Sequence, residues 1–114
     1  MPSMKRNLEL LPQVSFSILM ALSLKPRHGY EIMKQAEEDS LGKVKLAPGT
    51  LYSTIKQLLS EDFIEEIGPE DNADARGRRY YQLTKKGWDK LNAEMQYYSN
   101  IVKISKYRTA GEKY

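Results

Sequence analysis

The feature that most constrains the fold is a short amphipathic helix followed by a hairpin with a basic tip. The helix is predicted to begin at Pro48 and to end near Glu61, because apolar side chains recur there at helical spacing. The hairpin is predicted from two strand-like runs, residues 63–67 and 79–84, joined by a loop rich in turn-forming residues. Together they indicate a winged helix-turn-helix, a fold that usually binds duplex DNA.

The apolar pattern predicts three further helices, which makes the expected fold class α+β but mainly α. Two segments upstream, residues 12–24 and 30–41, place apolar side chains at helical spacing. Downstream, Thr84 can cap a long helix that runs to about Tyr107. We therefore predict a winged-helix DNA-binding domain over residues 1–84, a C-terminal dimerisation helix over residues 85–107 and a flexible tail over residues 108–114.

Composition places the chain among small proteins of a reducing compartment. Its 114 residues suit one domain, and its longest apolar-rich run is well short of the ~20 residues that a membrane helix needs. Cysteine is absent, and the N-terminus lacks the basic and apolar regions of a secretory signal. These features predict a cytoplasmic protein with no membrane partner. The net charge of +3 permits a polyanionic partner, but only the distribution of charge can indicate one.

Nothing in the sequence predicts catalysis, a metal site or a cofactor. His28 is the only histidine, and protein metal sites need several ligands held together. A catalytic nucleophile would need a base and an orienting group beside it, and no such set is visible. We predict that the chain is not an enzyme and that His28 is a structural residue at the start of the second helix.

The outer side of the third helix carries the residues that are predicted to meet DNA. Short polar groups and a lysine suit the floor of a major groove, roughly 12 Å wide, where they reach base edges or phosphates. These residues are Thr50, Ser53, Lys56 and Gln57, with Lys45 beside them as a phosphate contact. Tyr52 has two interpretations, because it can pack over the start of the helix or lean outward to a phosphate. The alternative for the whole face is a solvated helix surface.

The tip of the hairpin carries Arg76, Arg78 and Arg79 around a glycine. Guanidinium groups suit phosphates and narrow minor grooves, because they donate a planar fork of charged hydrogen bonds. Strand alternation should point Arg78 and Tyr80 to one face and Arg79 and Tyr81 to the other. The alternative is a basic turn that only aids solubility. Three acids of the same loop would repel DNA and are expected on its far limb: Glu70, Asp71 and Asp74.

The last helix carries an apolar heptad pattern that a small core does not need. Its members are spaced 3, 4, 3 and 4 residues apart: Trp88, Leu91, Met95, Tyr98 and Val102. Such a narrow apolar stripe is typical of a helix that packs against one partner helix, which favours a dimer contact. An intramolecular core and a dimer contact lined for a ligand remain as alternatives. Aromatic and methionine side chains there would suit a small aromatic or hydrophobic effector.

Three motifs together resemble the PadR family of bacterial transcriptional regulators. They are HGYEI at residues 28–32, PGTLY at residues 48–52, and RRYYQLT at residues 78–84 followed by Gly87. The single C-terminal helix is similar to that of the small, LmrR-like branch of the family. The resemblance spans roughly residues 10–107.

The resemblance implies a winged-helix homodimer in which the last helix crosses to the partner subunit. It also implies a repressor that binds a palindromic operator, which some members release on binding phenolic acids or planar drugs. In the LmrR-like branch a tryptophan of the last helix stacks on ligands at the dimer centre. By spacing from Gly87, Tyr98 stands at that position in this chain, a smaller and more polar side chain.

The function predicted is a homodimeric, DNA-binding transcriptional regulator, expected to repress from a palindromic operator. The alternative of a different class is a winged helix used only for protein–protein contact. That alternative predicts an apolar outer face on the third helix and a neutral hairpin tip, which this sequence does not have. RNA binding through the same basic surface is a further alternative, although no row of strand aromatics typical of an RNA-recognition sheet is present.

Overall fold

The computed structural model describes residues 9–68 and 77–110 and has the architecture of a winged helix with a long C-terminal helix. It confirms the predicted fold class and all four predicted helices. In chain order the elements are α1 (Gln13–Leu22), β1 (Arg27–His28), α2 (Gly29–Asp39), α3 (Pro48–Ser60), β2 (Ile64–Ile67), β3 (Tyr80–Leu83) and α4 (Lys85–Ala110). Strands β2 and β3 form the predicted two-stranded wing.

A third strand, which the sequence pattern does not predict, completes the sheet. The strand order is β1-β3-β2, and both pairings are antiparallel. Strand β1 has only two residues, and it pairs His28 with Tyr80 across a long stretch of sequence. Two residues are too few to show the alternation by which a strand is recognised. Because β1 runs straight into α2, it joins the base of the wing to the start of that helix.

The core forms around α1, as expected for a helix that is apolar on most sides. Ile18, Leu19 and Ala21 are fully enclosed, and α2, α3 and α4 pack around them. The predicted inner stripe of α3 is confirmed for Leu51, Ile55 and Leu58, whereas Leu59 is only partly buried. The sheet closes the core with Ile64, Tyr81 and Leu83. One face of α3 is therefore fixed inward, which leaves the other face to the solvent.

The helix ends follow from local chemistry. Helix α3 has Pro48 in its first turn, where the missing N–H of proline costs nothing. Thr84 caps α4 as predicted, because its hydroxyl accepts a hydrogen bond of 3.0 Å from the Gly87 N–H. After α2, Leu41 and Gly42 both have positive φ, of 56° and 84°. Gly42, which adopts this left-handed conformation without strain, follows the end of the helix.

Helix α4 is longer than predicted. It continues to Ala110, so residues 108–110 are helical and the predicted flexible tail is corrected at these positions. Residues 111–114 of that tail lie outside the described residues. At 1.5 Å per residue, 26 residues span roughly 39 Å. Among the described helices, α4 included, none combines the length and the apolar character that crossing a membrane requires.

Helix α4 leaves the core midway along its length. Gly87, Leu91 and Glu94 are buried, Met95 is half-buried, and every residue from Gln96 to Ala110 is exposed. Leu91 is 0% exposed within the single chain, so it has no surface to offer to a partner. The prediction that Leu91 lies in a dimer interface is therefore corrected. It belongs to the core, because the first turns of α4 pack on α1 and β3.

Candidate nucleic-acid interface

The outer face of α3 is exposed and carries no acidic side chain between Pro48 and Ser60. The structure brings the four predicted outer residues to this face: Thr50, Ser53, Lys56 and Gln57. The Ser53 hydroxyl turns back onto the helix and donates a hydrogen bond of 3.2 Å to the Thr50 carbonyl. Lys56 and Gln57 are the longest side chains of the set, and they reach farthest from the helix. A polyanion would therefore meet a polar, positively charged surface here.

Lys45 is exposed just ahead of α3 in the chain, for a reason that the packing makes clear. It stands between Val44 and Leu46, which are both buried. In an extended segment, successive side chains point to opposite sides, so burying both neighbours turns Lys45 to the solvent. The lysine is thus held just ahead of α3.

Tyr52 packs against the start of a helix, but that helix is α2 and not the helix α3 to which Tyr52 belongs. Its ring packs over the start of α2, so closely that a Cβ added to Gly29 would lie 2.5 Å from the tyrosine hydroxyl. Only glycine permits this contact, because any other side chain would displace the ring. About half of Tyr52 remains exposed, which leaves its outer side open to the solvent. Tyr52 therefore joins α3 to α2 and lines the surface between α3 and the wing.

The two described wing arginines contact different neighbours, and both line one cleft. Arg78 donates a hydrogen bond of 2.6 Å to Nε2 of His28, and Tyr80 stacks edge-on against the same imidazole. Arg79 lies on the side of Tyr81. Arg76 lies outside the described residues, as do the three loop acids whose placement was predicted. The described part of the wing thus offers two arginines rather than three.

Arg79 is paired with an acid to which the sequence pattern gives no role. Its Nε lies 3.8 Å from a carboxylate oxygen of Glu66 on β2, and both side chains are largely in the solvent. An exposed pair at that distance is weak and is readily exchanged for another anion. Burial raises the pKa of Tyr81, and the Glu66 charge adds to the effect while Arg79 opposes it. The Tyr81 hydroxyl therefore stays neutral and adds no negative charge beside Arg79.

A cleft of about 350 Å³ opens between α2, α3 and the wing. The residues that matter for its chemistry are His28, Tyr52, Arg78, Arg79 and Tyr81. It combines two guanidinium groups with aromatic walls, so its chemistry suits an anion. Tyr52, which precedes Ser53 on α3, connects this cleft to that helix.

His28 is buried, at 5% exposure, and connects two parts of the fold. It is the N-cap of α2, where its backbone N–H donates to a carboxylate oxygen of Glu31 at 3.2 Å and its Nδ1 lies 3.4 Å from the Glu31 N–H. The structural role predicted at the helix start is thus observed. Its contact with Arg78 was not predicted, and no local pattern could signal it because fifty residues separate the two. Among residues 9–68 and 77–110, no cluster of His, Cys, Asp or Glu side chains could hold a metal ion.

The residues predicted for a dimer or effector site on α4 are divided by the structure. Leu91 is in the core and Met95 packs against it, whereas Trp88, Tyr98 and Val102 are exposed. Tyr98 makes edge-to-face contacts with Phe16 of α1 and with Tyr97, at ring-centroid distances of 5.4 Å and 5.2 Å. The exposed apolar surface is also broader than the heptad predicted, since it includes Tyr97, Ile101 and Ile104.

Comparison with known proteins places the chain in a family. Residues 18–93 match the model of the transcriptional regulator PadR-like family. The chain belongs to the PadR family. It is thus a transcriptional regulator and not an enzyme, as predicted. A search of curated proteins found no match.

Solved structures of PadR regulators share the fold. A PadR family transcription regulator from hypervirulent Clostridium difficile R20291 is 30% identical, with a TM-score of 0.71 over 88% of this chain and 100% of that one. A PadR-like transcriptional regulator from Bacillus cereus is 24% identical, with a TM-score of 0.69 over 87% and 93% of the two chains. Bacillus subtilis PadR, solved in complex with operator DNA, is 21% identical, with a TM-score of 0.63 over 74% of this chain and 47% of that one.

Proposed function

We propose that this PadR family regulator is a homodimeric repressor that binds a palindromic DNA operator. The observation that carries the proposal is the acid-free outer face of α3 together with the arginine-lined cleft, which Tyr52 of α3 also lines. Helix α3 enters the major groove, with Ser53, Lys56 and Gln57 toward base edges and phosphates. Arg78 and Arg79 contact the backbone or the minor groove, and so does Arg76, which lies outside the described residues. The Bacillus subtilis relative, which was solved on its operator DNA, supports this assignment.

The exposed half of α4 supports a second copy of the chain as the partner. Exposed apolar side chains recur there at helical spacing: Tyr97, Tyr98, Ile101, Val102 and Ile104. A contiguous apolar patch of this kind marks an interaction site rather than an ordinary surface. Two-fold pairing through α4 sets two winged-helix domains at a fixed spacing, about one helical turn of DNA (~34 Å) or a multiple of it. The division of the chain into a winged-helix domain up to residue 84 and a dimerisation helix from residue 85 is part of this proposal. A cytoplasmic location is also part of it.

The test of the DNA-binding mechanism is a titration of promoter duplexes from around the gene at several salt concentrations, followed by footprinting of the bound fragment. If each subunit contacts three or four phosphates, the slope of log affinity against log salt is roughly −5 to −7. A protected palindrome and a steep slope are the expected results. Binding that does not depend on salt contradicts the mechanism. Failure to bind any duplex favours a winged helix used for protein–protein contact.

Two variants test the separate parts of the proposal. Replacing both Arg78 and Arg79 by alanine weakens binding to most sequences alike, because phosphate contacts carry no sequence information. Unchanged affinity in a gel shift removes the wing from the mechanism. Ile101→Lys places a charge in the apolar half of α4 and is expected to give monomers in analytical ultracentrifugation. A variant that sediments like the wild type shows that Ile101 is not in a dimer interface.

An effector is a further part of the proposal. A small aromatic or hydrophobic molecule at the dimer centre, beside Trp88, Tyr98 and Val102, would release DNA if it prefers the conformation unable to bind the operator. Trp88 is the single tryptophan and is partly exposed, so its fluorescence reports on such binding. Quenching by some members of a panel of aromatic compounds, with loss of DNA binding, is the expected result. If no compound in a varied panel changes the Trp88 fluorescence, the dimer interface does not bind an effector of this kind.

A further inference from the structure

We propose that the cleft between α2, α3 and the wing receives one DNA backbone phosphate on Arg78, and that the buried His28 is the residue that positions Arg78 for it. This proposal rests on the proposed DNA-binding function and assigns one residue a role in it. Neither the family comparison nor the fold distinguishes His28 from an ordinary helix cap. The contact between the imidazole and the guanidinium does.

The chemistry of the imidazole decides which of its two contacts is a true hydrogen bond. A neutral imidazole accepts at one ring nitrogen only and carries a proton on the other. Arg78 cannot accept a hydrogen bond, and neither can the Glu31 N–H. The Arg78 contact is 2.6 Å and the Glu31 contact is 3.4 Å, so the shorter one takes the acceptor. In the proposed arrangement, Nε2 of His28 accepts from Arg78 and Nδ1 carries the ring proton. The cap of α2 then rests on the bond from the His28 backbone N–H to the Glu31 carboxylate.

The surroundings of His28 make it a rigid support. The side chain is buried, Tyr80 stacks edge-on against it at 5.3 Å, and β1 pairs His28 with Tyr80 in the sheet. An arginine that leans on a fixed acceptor loses less rotamer freedom when it binds an anion than a freely moving one. Arg79 instead lies beside the exposed carboxylate of Glu66 and the hydroxyl of Tyr81. The support from the imidazole is thus specific to Arg78.

The cleft supplies the rest of a phosphate site. The Tyr52 hydroxyl lies over Gly29 at the inner end of the cleft, and Arg79 lines its rim. Glu31 is the acid that faces His28, and its carboxylate lies 3.6 Å from Nε2 and accepts the hydrogen bond from the His28 N–H. That carboxylate is engaged at the helix start. A phosphodiester oxygen would approach the guanidinium from the open side of the cleft.

Two substitutions at one position separate the cap from the positioning role. In His28→Asn the amide oxygen stands where Nδ1 stood, and asparagine is a good N-cap, but its side chain is too short to reach Arg78. In His28→Gln the amide oxygen stands near the place of Nε2 and can accept from Arg78, whereas glutamine is the poorer cap. A structural role predicts that the asparagine variant is the better of the two, and the positioning role predicts the reverse.

The experiment measures binding of a fluorescein-labelled, mixed-sequence duplex by anisotropy over a range of salt concentrations. We expect His28→Asn and Arg78→Ala each to weaken binding roughly tenfold and to make the salt slope of a dimer shallower by about 2, one phosphate per subunit. His28→Gln is expected to bind like the wild type, and His28→Asn is expected to have no further effect in the Arg78→Ala background. Lys103→Ala, which removes a charge from the exposed part of α4, is the control and should bind like the wild type.

The outcomes separate this proposal from the proposed function. Wild-type protein that fails to bind the duplex overturns the function itself. Wild-type binding with an unaffected His28→Asn variant, or with additive losses in the double variant, overturns only the role of His28. A measurement on the wild-type protein without DNA does not depend on how the variants fold. Nitrogen-15 shifts of the wild-type imidazole should show the proton on Nδ1, and a proton on Nε2 contradicts the proposal.

Discussion

One side of α4 is buried in the first half of the helix and exposed in the second half. In the first half, this side carries Gly87 and Leu91, which are buried against the chain's own core. Residues eleven apart lie three turns apart on the same side of a helix. In the second half, that side therefore carries exposed apolar residues, namely Tyr98, Ile101 and Val102. An apolar helix face contributes to stability only where something covers it.

This difference divides the expected roles of α4. Its first half is covered by α1 and β3, so changes there should alter the folding of each chain. Within the described residues, its second half has little cover beyond the contact of Tyr98 with Phe16 of α1. Changes beyond Tyr98 should therefore alter association and leave the folding of a single chain nearly unaffected. Substitutions in the two halves can break this division, and their expected effects range from severe to small.

The largest effect is expected from Gly87→Ala in the first half. A Cβ at this position would lie 1.9 Å from the backbone oxygen of Phe63, and a backbone atom cannot move aside as a flexible side chain can. Either α4 or the start of β2 has to shift. We expect the free energy of unfolding to fall by about 4 kcal/mol or more, the size of the most severe single substitutions. Urea denaturation followed by circular dichroism measures it.

Gly49→Ala is the matched control for this prediction. Gly49 is also a helical glycine, but a Cβ there would meet nothing within 4 Å. Alanine favours a helix over glycine by up to about 1 kcal/mol, so this variant should be as stable as the wild type or more so. If Gly87→Ala were also neutral, the close packing of α4 on the chain's own domain would be wrong.

The second prediction compares Leu91 with Val102, which occupies the same side of α4 three turns later. Leu91→Ala leaves a cavity in a closed core and should lower the free energy of unfolding by about 3 kcal/mol at every protein concentration. Val102→Ala should cost much less at concentrations where the chain is monomeric, and its effect should appear as the dimer forms. Urea unfolding over a hundredfold range of protein concentration distinguishes the two. Equal losses in the dilute protein would contradict the division of α4.

The sequence was sufficient for features that depend on local periodicity. The inner stripe of α3, the polar outer face with Lys56 and Gln57, and the cap at Thr84 follow from the spacing of neighbouring residues and are all observed. A heptad pattern, in contrast, shows that a face will be covered but not by what. Leu91 was assigned to a partner for this reason, and the chain's own core covers it.

The remaining features depend on contacts between distant parts of the sequence. The two-residue strand β1 exists because β3 pairs with it, and the pairing of His28 with Arg78 follows from that register. Glu94 of α4 is buried although it is an acid. Its carboxylate is compensated there, because the N–H of Leu11 and the ammonium of Lys90 both contact it. Neither set of partners is visible from the local pattern.

The third and smallest prediction compares two ion pairs of the same spacing in α4. Lys85 and Asp89 pair at 3.1 Å with side chains that are 89% and 67% exposed, whereas Lys90 and Glu94 pair at 3.2 Å with side chains that are 13% and 3% exposed. The buried pair also holds residues 9–11, because Lys90 donates to the Glu9 carbonyl and Glu94 accepts from the Leu11 N–H. The exposed pair makes no such link among the described residues.

Removing one partner should therefore have unequal consequences. Glu94→Gln keeps an acceptor for the Leu11 N–H but leaves the largely buried charge of Lys90 without this carboxylate, and it should lower the free energy of unfolding by about 2 kcal/mol. Asp89→Asn should change it by less than about 0.5 kcal/mol, because water already screens that pair. At 1 M salt, where the Debye length is about 3 Å, the small Asp89 effect should vanish and the Glu94 effect should persist. A Glu94 effect that salt abolishes would show that solvent reaches the carboxylate, and that the first half of α4 opens away from the N-terminal segment.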